Sequence, residues 1–436
     1  MAQGPFAPGH LGELTQLVPF DMVDEALAET RTTQSRVRDL PARVVVYLLL
    51  AACLFPELGY AGVWRKLTAS LTSIGPATPT ASALCQARRR LGSAPLKWLF
   101  DLLRGPAAGS ARWRGLLICA IDGTTLSVAD SPSNLSTYAK HRCNNGGSGY
   151  PQIRLLALLA CGTRTLIDVE SGPAGVSELA YAPRLARSMH PGMIVLLDRG
   201  FVSCELIAAF AAAGAEVLVR YTYRRNFPVL ARHSDGSYLS TLGSTKVRVI
   251  DAEIVITTST GRRSSVYRLV TTLLDHHRHP ATELVTLYHQ RWEIETAYLE
   301  LKSTILGGRV LRARTSQGIT QELCALLVTY QLLRTTMTDA TDSQPGTTAD
   351  RASFTIALQT ARDQLVLAAD VIADTVVTLV GTIGTHLLAN LMPDRRLRTR
   401  PRVVKRAISK YNAKGTVDRT TYKATISIDV LAPAEP

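Results

Sequence analysis

Apolar positions divide this 436-residue chain into stretches of different period. Up to about residue 110 they recur at helical spacing. Phe20 to Glu29 predicts a short amphipathic helix, Leu40-Pro41 opens a long apolar helix from Ala42 to about Phe55, and Tyr60 to Leu71 predicts a third. In GPATPTASALCQARRRLG (75–92), Thr80 or Ser82 can cap a helix, Leu84 and Leu91 can face inward, and Gly92 can end it. From Arg114 onward, short continuous apolar runs bounded by turn residues take over. Leu116 to Ile121 and Met193 to Leu197 read as buried strands, and each runs into an aspartate, Asp122 and Asp198. Between them lie a hairpin (Ile153 to Cys161 and Thr165 to Glu170, turning at Gly162-Thr163) and a helix from Glu178 to Met189. A helix over 203–213 and a strand over 215–220 follow.

This order predicts an α/β fold, a mixed sheet with helices on its faces, of the ribonuclease H type. Residues 224–275 interrupt it with strand-like segments, Lys246 to Thr257 and Val266 to Leu274, and read as a β-rich insertion. Gln321 to Met337 predicts a strong helix, 339–350 a polar linker, and Ser353 to Leu391 one or two further helices. The expected organisation is a helical N-terminal domain (1–110), a catalytic core in two pieces (111–223 and 276–337), the insertion (224–275), and a helical C-terminal region with a basic tail (338–436).

The stretch that organises the rest is Leu284 to Lys302, LVTLYHQRWEIETAYLELK, free of Pro and Gly and long enough for about five helical turns. At about 100° per residue, Tyr288, Arg291, Glu295 and Lys302 fall within roughly 60° of one another, while Glu293 and Glu300 lie well over 100° away. Such a stripe is either a solvated salt-bridge face or a catalytic carboxylate flanked by groups that hold phosphate.

Charge narrows the choice. A net charge of +14 and a pI near 9.7 point to a polyanion partner, nucleic acid first, with an anionic membrane surface as the rival. No apolar run reaches the ~20 residues of a membrane span. The N-terminus has no basic segment followed by an apolar one, so no signal peptide is expected. The seven cysteines show neither CxxC nor zinc spacing, which suits reduced core thiols in a cytosolic protein. Arg88, Arg89 and Arg90 crowd the end of the 75–92 helix. Short helices closing on an arginine-rich one suggest a helix-turn-helix-like DNA-binding module, against an ordinary helical domain with a basic exterior. The tail Arg395 to Lys414 either tracks a phosphate backbone or merely keeps the chain soluble.

Asp122 and Asp198 each follow an apolar strand, where open sheets place ligand sites. On neighbouring strands the two carboxylates would repel, and divalent cations with hard oxygen ligands would relieve that repulsion. Glu295, on a helix packed beside these strands, fits as a third acid. A strand-terminal aspartate taken singly is as well explained as a turn or cap residue.

Asp122-Gly123-Thr124 after a strand, Asp198-Arg199-Gly200-Phe201, and Tyr288-x2-Arg291-x3-Glu295-x6-Lys302 together resemble the DDE transposases of the IS4 type. The last spacing is that family's Tyr-Arg-Glu-Lys signature, and the resemblance spans residues ~20–340. It implies a ribonuclease H-like core that binds two Mg2+ ions, with Mn2+ able to substitute, through Asp122, Asp198 and Glu295. It implies nicking at an element's end to leave a 3′-OH, which then attacks target DNA. Tyr288, Arg291 and Lys302 would hold DNA phosphates, and Arg199 would contact a phosphate or support the ligands. Trp292 would stack on a base or pack against the core. Arg88, Arg89 and Arg90 would touch the terminal inverted repeats. The resemblance further implies double-stranded DNA as partner, a homodimer on paired ends, and a place in the bacterial cytoplasm with the nucleoid. Two rivals stay open: a related nuclease that cuts without joining, and an inactive DNA-binding relative.

Overall fold

The structure, a computed structural model, describes residues 9–432 apart from 35, 37, 73–74, 144–145, 223–224, 259–260, 369–379 and 394–424. The basic tail from Arg395 to Lys414 lies outside the described residues.

Five helices come first: α1 (Phe20–Glu29), α2 (Ala42–Leu54), α3 (Tyr60–Leu67), α4 (Ala81–Leu91) and α5 (Ala94–Leu103). In α2 every residue except Arg43 is buried, and Arg43 reaches out to pair with Asp24 on α1. An apolar circumference of that kind needs neighbours on all sides, and α1, α3, α4 and the later helix over Ser316–Asp342 supply them. Helix α4 is bounded as its sequence signals predict. The Thr80 side chain accepts from the Ala83 N–H at 3.1 Å, and Gly92 ends the helix at φ +68°, a conformation that favours glycine.

The sheet region follows: β1 (Arg112–Trp113), β2 (Leu116–Ser127), α6 (Pro132–Thr137), β3 (Lys140–Cys143), β4 (Gly146–Ala160), β5 (Leu166–Pro173), α7 (Glu178–Tyr181), β6 (Met193–Leu197), α8 (Cys204–Ala212) and β7 (Glu216–Tyr221). Next come β8 (Ala231–Arg232), β9 (Tyr238–Leu242), β10 (Thr245–Thr258) and β11 (Gly261–Thr271). The strands order as β3-β4-β2-β6-β7-β11-β10-β9-β8. β2, β6 and β7 run parallel, and β4 and β11 flank them antiparallel. This is the mixed sheet of a ribonuclease H-like core. The β-rich stretch joins it edge-on, because β11 lies beside β7.

Alternation along β2 gives the sheet two faces. Leu117, Cys119 and Ile121 face the core built with Leu206, Ile207 and Phe210 of α8. Ile118, Ala120 and Leu126 face the other core. That second core is covered by α9 (Ala281–Tyr288), α10 (Glu293–Leu299) and α11 (Ser316–Asp342). The chain then continues through α12 (Phe354–Val366), α13 (Gly381–Ala389) and β12 (Thr425–Leu431), the last beside β10. No helix among the described residues is long and apolar enough to cross a membrane.

Several elements depart from expectation. The C-terminal region, expected to be helical, contains the strand β12, because that segment pairs with β10. β2 does not stop at Asp122 but runs on to Ser127, because β4 continues to pair with it as far as Gln152 opposite Ser127. The segment 178–189 forms one α-helical turn and then a 3-10 run over Ala182–Ser188, where Pro183 removes an N–H. The stretch from 281 to 305 is helical throughout but uneven. It tightens to 3-10 over His289–Trp292 and widens to a π-helix over Glu300–Ile305.

Candidate active site

β2 and β6 place the two aspartates. Their parallel register sets Ala120 opposite Leu196, so two residues further on Asp122 stands level with Asp198. Both are partly buried, and Asp198 follows immediately on the end of β6. Burial pushes the Asp122 carboxyl up from 3.8 to about 6, with Glu178 and Asp198 adding to the rise and the Gly123 N–H and Arg291 opposing it. That N–H donates to Asp122 Oδ1 at 2.9 Å.

The sign of this shift has a consequence for stability. Ionising Asp122 costs the folded state free energy, increasingly as pH rises from about 4 through 6. In chelator-treated protein, Asp122→Asn is expected to raise stability by up to about 3 kcal/mol near pH 8. That advantage should vanish as pH falls to about 3, and urea unfolding across this range measures it. A constant difference between the two proteins would contradict the burial account.

The helical stretch lies over β2 with its phase set by several anchors. At its start, Glu283 accepts from Trp113 Nε1 and from Arg114 Nε, each at 3.0 Å, and Asp235 accepts from the Ala281 N–H at 3.0 Å. The Tyr288 hydroxyl donates to the Leu197 carbonyl at 3.1 Å, next to Asp198. Tyr298 enters the β2–β4 ladder itself: its hydroxyl donates to the Asp122 carbonyl and accepts from the Ala157 N–H at 3.2 Å. Lys302 Nζ donates to Thr124 Oγ1 at 3.1 Å, two residues beyond Asp122 on the same face. Burial lowers the Lys302 pKa.

Arg291 occupies the centre. One guanidinium nitrogen lies 3.7 Å from Asp122 Oδ2 and the other 3.7 Å from Glu295 Oε1. Burial draws the pKa of Arg291 down, but Tyr288, Asp198, Asp122 and Glu295 outweigh it and the net shift is upward. Three carboxylates thus share one cation's field, Asp122 and Glu295 at 3.7 Å and Asp198 through charge. Their chemistry fits a hard divalent cation: they supply only carboxylate oxygen, and their negative charge is met by one loosely held guanidinium. Arg291 also leaves its Nε buried and without a hydrogen-bond partner among the described residues.

Helical phase separates the three glutamates as the sequence predicts. Glu295 keeps its side chain 31% exposed on the β2 side. Glu293 and Glu300 turn away into a buried ion network. Arg164, from the β4–β5 turn, donates to Glu293 at 2.5 Å and to Glu300 at 3.3 Å and also pairs with Asp350. Glu300 further accepts from Arg334 Nε at 3.1 Å and from the Tyr330 hydroxyl at 3.3 Å.

The other predicted contacts spread out. Arg199 is exposed beside Asp198. Trp292 is partly buried, with the Arg291 guanidinium 5.7 Å from its ring. Arg89 and Arg90 are exposed on α4, whereas Arg88 folds back over the Tyr60 ring at 3.7 Å.

Sequence reasoning missed several neighbours. Tyr298 is one, and its mark was an aromatic ten residues after Tyr288 inside the same helical stretch. Glu178 is another. It sits against Gly123, where a Cβ would come within 2.3 Å of its Cδ, and it pairs with Arg154. A side chain after Asp122 would therefore displace the Glu178 carboxylate from its place. Arg220 is the third. Leu197 pairs with Val219, so Arg220 stands level with Asp198 on β7, and its guanidinium lies 4.0 Å over the Tyr267 ring.

The chain matches the family described as Transposase DDE domain over residues 113–332 and the family described as Insertion element 4 transposase N-terminal over residues 8–101. It is 26% identical over 406 residues to the transposase InsG for insertion sequence element IS4 of Escherichia coli (strain K12), covering 90% of this chain and 91% of that one. Among solved structures it is similar, with a TM-score of 0.46 and 11% identity, to the cryo-EM structure of the piggyBac transposase synaptic complex with hairpin DNA, over 93% of this chain and 90% of that chain. With the DDE domain matching half of its length and the N-terminal family matching most of what precedes it, the chain belongs to the IS4-type DDE transposases of insertion sequences.

Proposed function

We propose that this transposase binds the terminal inverted repeats of its element, nicks the DNA at their ends and joins the freed 3′-OH to target DNA at the Asp122, Asp198 and Glu295 site. The observation that carries the reading is the level register of Asp122 and Asp198, with Glu295 held over them through the shared Arg291. The DDE family implies dependence on a divalent metal, and Mg2+ is the ion proposed, with Mn2+ as substitute. Asp122, Asp198 and Glu295 would hold it. Two such ions supply activation of the attacking oxygen and stabilisation of the leaving oxygen in phosphoryl transfer.

The chain's own residues do the rest. Arg291 is loosely paired and can turn to a phosphate oxygen, which would free Asp122 and Glu295 to approach one another. Lys302 and the exposed Arg199 offer further phosphate contacts on either side of the aspartates. Tyr288 spends its hydroxyl on Leu197, so it serves by fixing the end of β6 beneath the DNA. Trp292 lies beside Arg291, placed to border the DNA. Arg88, Arg89 and Arg90 belong to the end-recognition surface, a second copy is expected on the paired ends, and the work is done on nucleoid DNA in the bacterial cytoplasm.

The test is strand transfer in vitro. A labelled duplex carrying the short inverted repeat that flanks the gene should be nicked with Mg2+ and then joined to an unlabelled plasmid. Nicked product that never joins would favour a nuclease, and binding without nicking would favour an inactive relative.

A further inference from the structure

A cleft of about 560 Å³ lies between the N-terminal helices and the catalytic core. One wall is the segment before α11. Leu311 pairs in parallel with Val128 and donates to the Ser127 carbonyl at 2.9 Å, and the Arg314 carbonyl accepts from the Ser131 hydroxyl at 2.8 Å. This wall is thus fastened to the end of β2, the strand that carries Asp122. The other wall is Tyr60 with the last turn of α4. The two walls are tied together. Gln321 donates to the Arg88 carbonyl at 3.0 Å and also to that of Gly92, and Arg312 donates to the carbonyls of Ala52 and Phe55 at the end of α2.

The lining is strongly cationic. Arg88, Arg89, Arg312 and Arg314 face the cleft, and Glu57, the acid among its lining residues, lies 3.9 Å from Arg362. Arg88, Arg89 and Arg314 make no ion pair among the described residues. Tyr60 holds Arg88 at 3.7 Å and Arg312 at 5.3 Å from its ring; Arg88 keeps its charge unpaired, while Arg312 is shared with Glu322 at 3.8 Å. One nitrogen of each, Arg88 Nε and Arg312 Nη1, is shielded from solvent and has no hydrogen-bond partner among the described residues. The first turn of the 27-residue α11, at Gln317 and Gly318, lines the same space; Thr315 Oγ1 caps the Gly318 N–H at 3.2 Å, and the helix adds its partial positive charge.

We infer that this cleft takes a backbone phosphate of the DNA on which the Asp122 site acts. The inference rests on the proposed function. Fixed guanidiniums with donors left over, beside the positive end of a helix, match a phosphodiester. The six residue steps from Asp122 along β2 to Val128, just past the strand's end, span about 20 Å. For a duplex lying along β2 that is about six base pairs, which puts the gripped phosphate about six base pairs from the nick.

Methylphosphonate scanning, in which single phosphates are made neutral along an end-containing duplex, tests this with the full chain. Arg89→Ala/Arg314→Ala alters two exposed side chains, and thermal melting confirms that the fold is kept. Against wild type, the slope of log affinity on log salt should fall by about 1 in the double variant, the loss of one phosphate contact. A neutral linkage about six base pairs from the nick should weaken wild-type binding and leave the variant unaffected. Wild-type nicking accompanied by an unchanged slope and an unchanged scan in the variant overturns the cleft alone. A wild-type chain that neither binds nor nicks such a duplex overturns the proposed function and the cleft with it.

Discussion

Asp122→Ala is expected to abolish nicking while leaving end binding within a few-fold of wild type. Removing a single oriented hydrogen-bond donor from an active site costs about 10²–10³ in rate. Loss of a carboxylate proposed to hold the catalytic cation should exceed that. Binding should survive for two reasons. The cations proposed to contact phosphate lie elsewhere, on Arg291, Lys302, Arg199 and the N-terminal arginines. Arg291 also keeps Glu295 as a partner at 3.7 Å and stays in place. The measurement is single-turnover nicking of a labelled end, with a mobility shift on the same duplex. Nicking at more than about a hundredth of the wild-type rate would leave Asp122 without a part in the chemistry.

Glu300→Ala is the second large effect, and it concerns stability. Glu300 is the acid shared by Arg334, whose side chain is fully buried, and Arg164, 5% exposed. Removing it strands buried charge, which costs about 3–5 kcal/mol. The same carboxylate accepts from Tyr330, so a further buried donor loses its partner. Urea denaturation should show that loss as a lowered midpoint with an unchanged slope. Glu300→Ala protein as stable as wild type would mean that the network behind the helix contributes little.

The sequence was most legible where one local rule acted alone. Helix α4 begins after Thr80 and ends at Gly92 because a hydroxyl cap and a positive-φ glycine each fix a single point. β6 is a run of five buried apolar residues, and its end at Asp198 was plain. The phase argument along 284–302 also held, although the helix is not ideal. The 3-10 turn brings Tyr288 and Arg291 nearly into line, since residues three apart eclipse there. The π-helical end then carries Lys302 over Thr124. Errors arose where tertiary pairing decides. β2 continues past Asp122 because β4 is long enough to pair with it, and nothing within 122–127 announces that. Tyr298, Glu178 and Arg220 reach the site by packing and register between distant strands and helices, which spacing along one chain does not encode. Arg88 shows the same limit: the arginine run was visible, but its fold-back onto Tyr60 belongs to the meeting of α3 with α4.

The central claim is that Glu295, and neither of its helical neighbours Glu293 and Glu300, is the acid that completes the pair of aspartates. It is tested most directly by Glu295→Gln in single-turnover nicking of a labelled element end with Mg2+. The substitution keeps the shape of the side chain and removes its charge. The account predicts that end binding is retained and nicking is lost. Nicking by Glu295→Gln at the wild-type rate, with DNA binding intact, would contradict it.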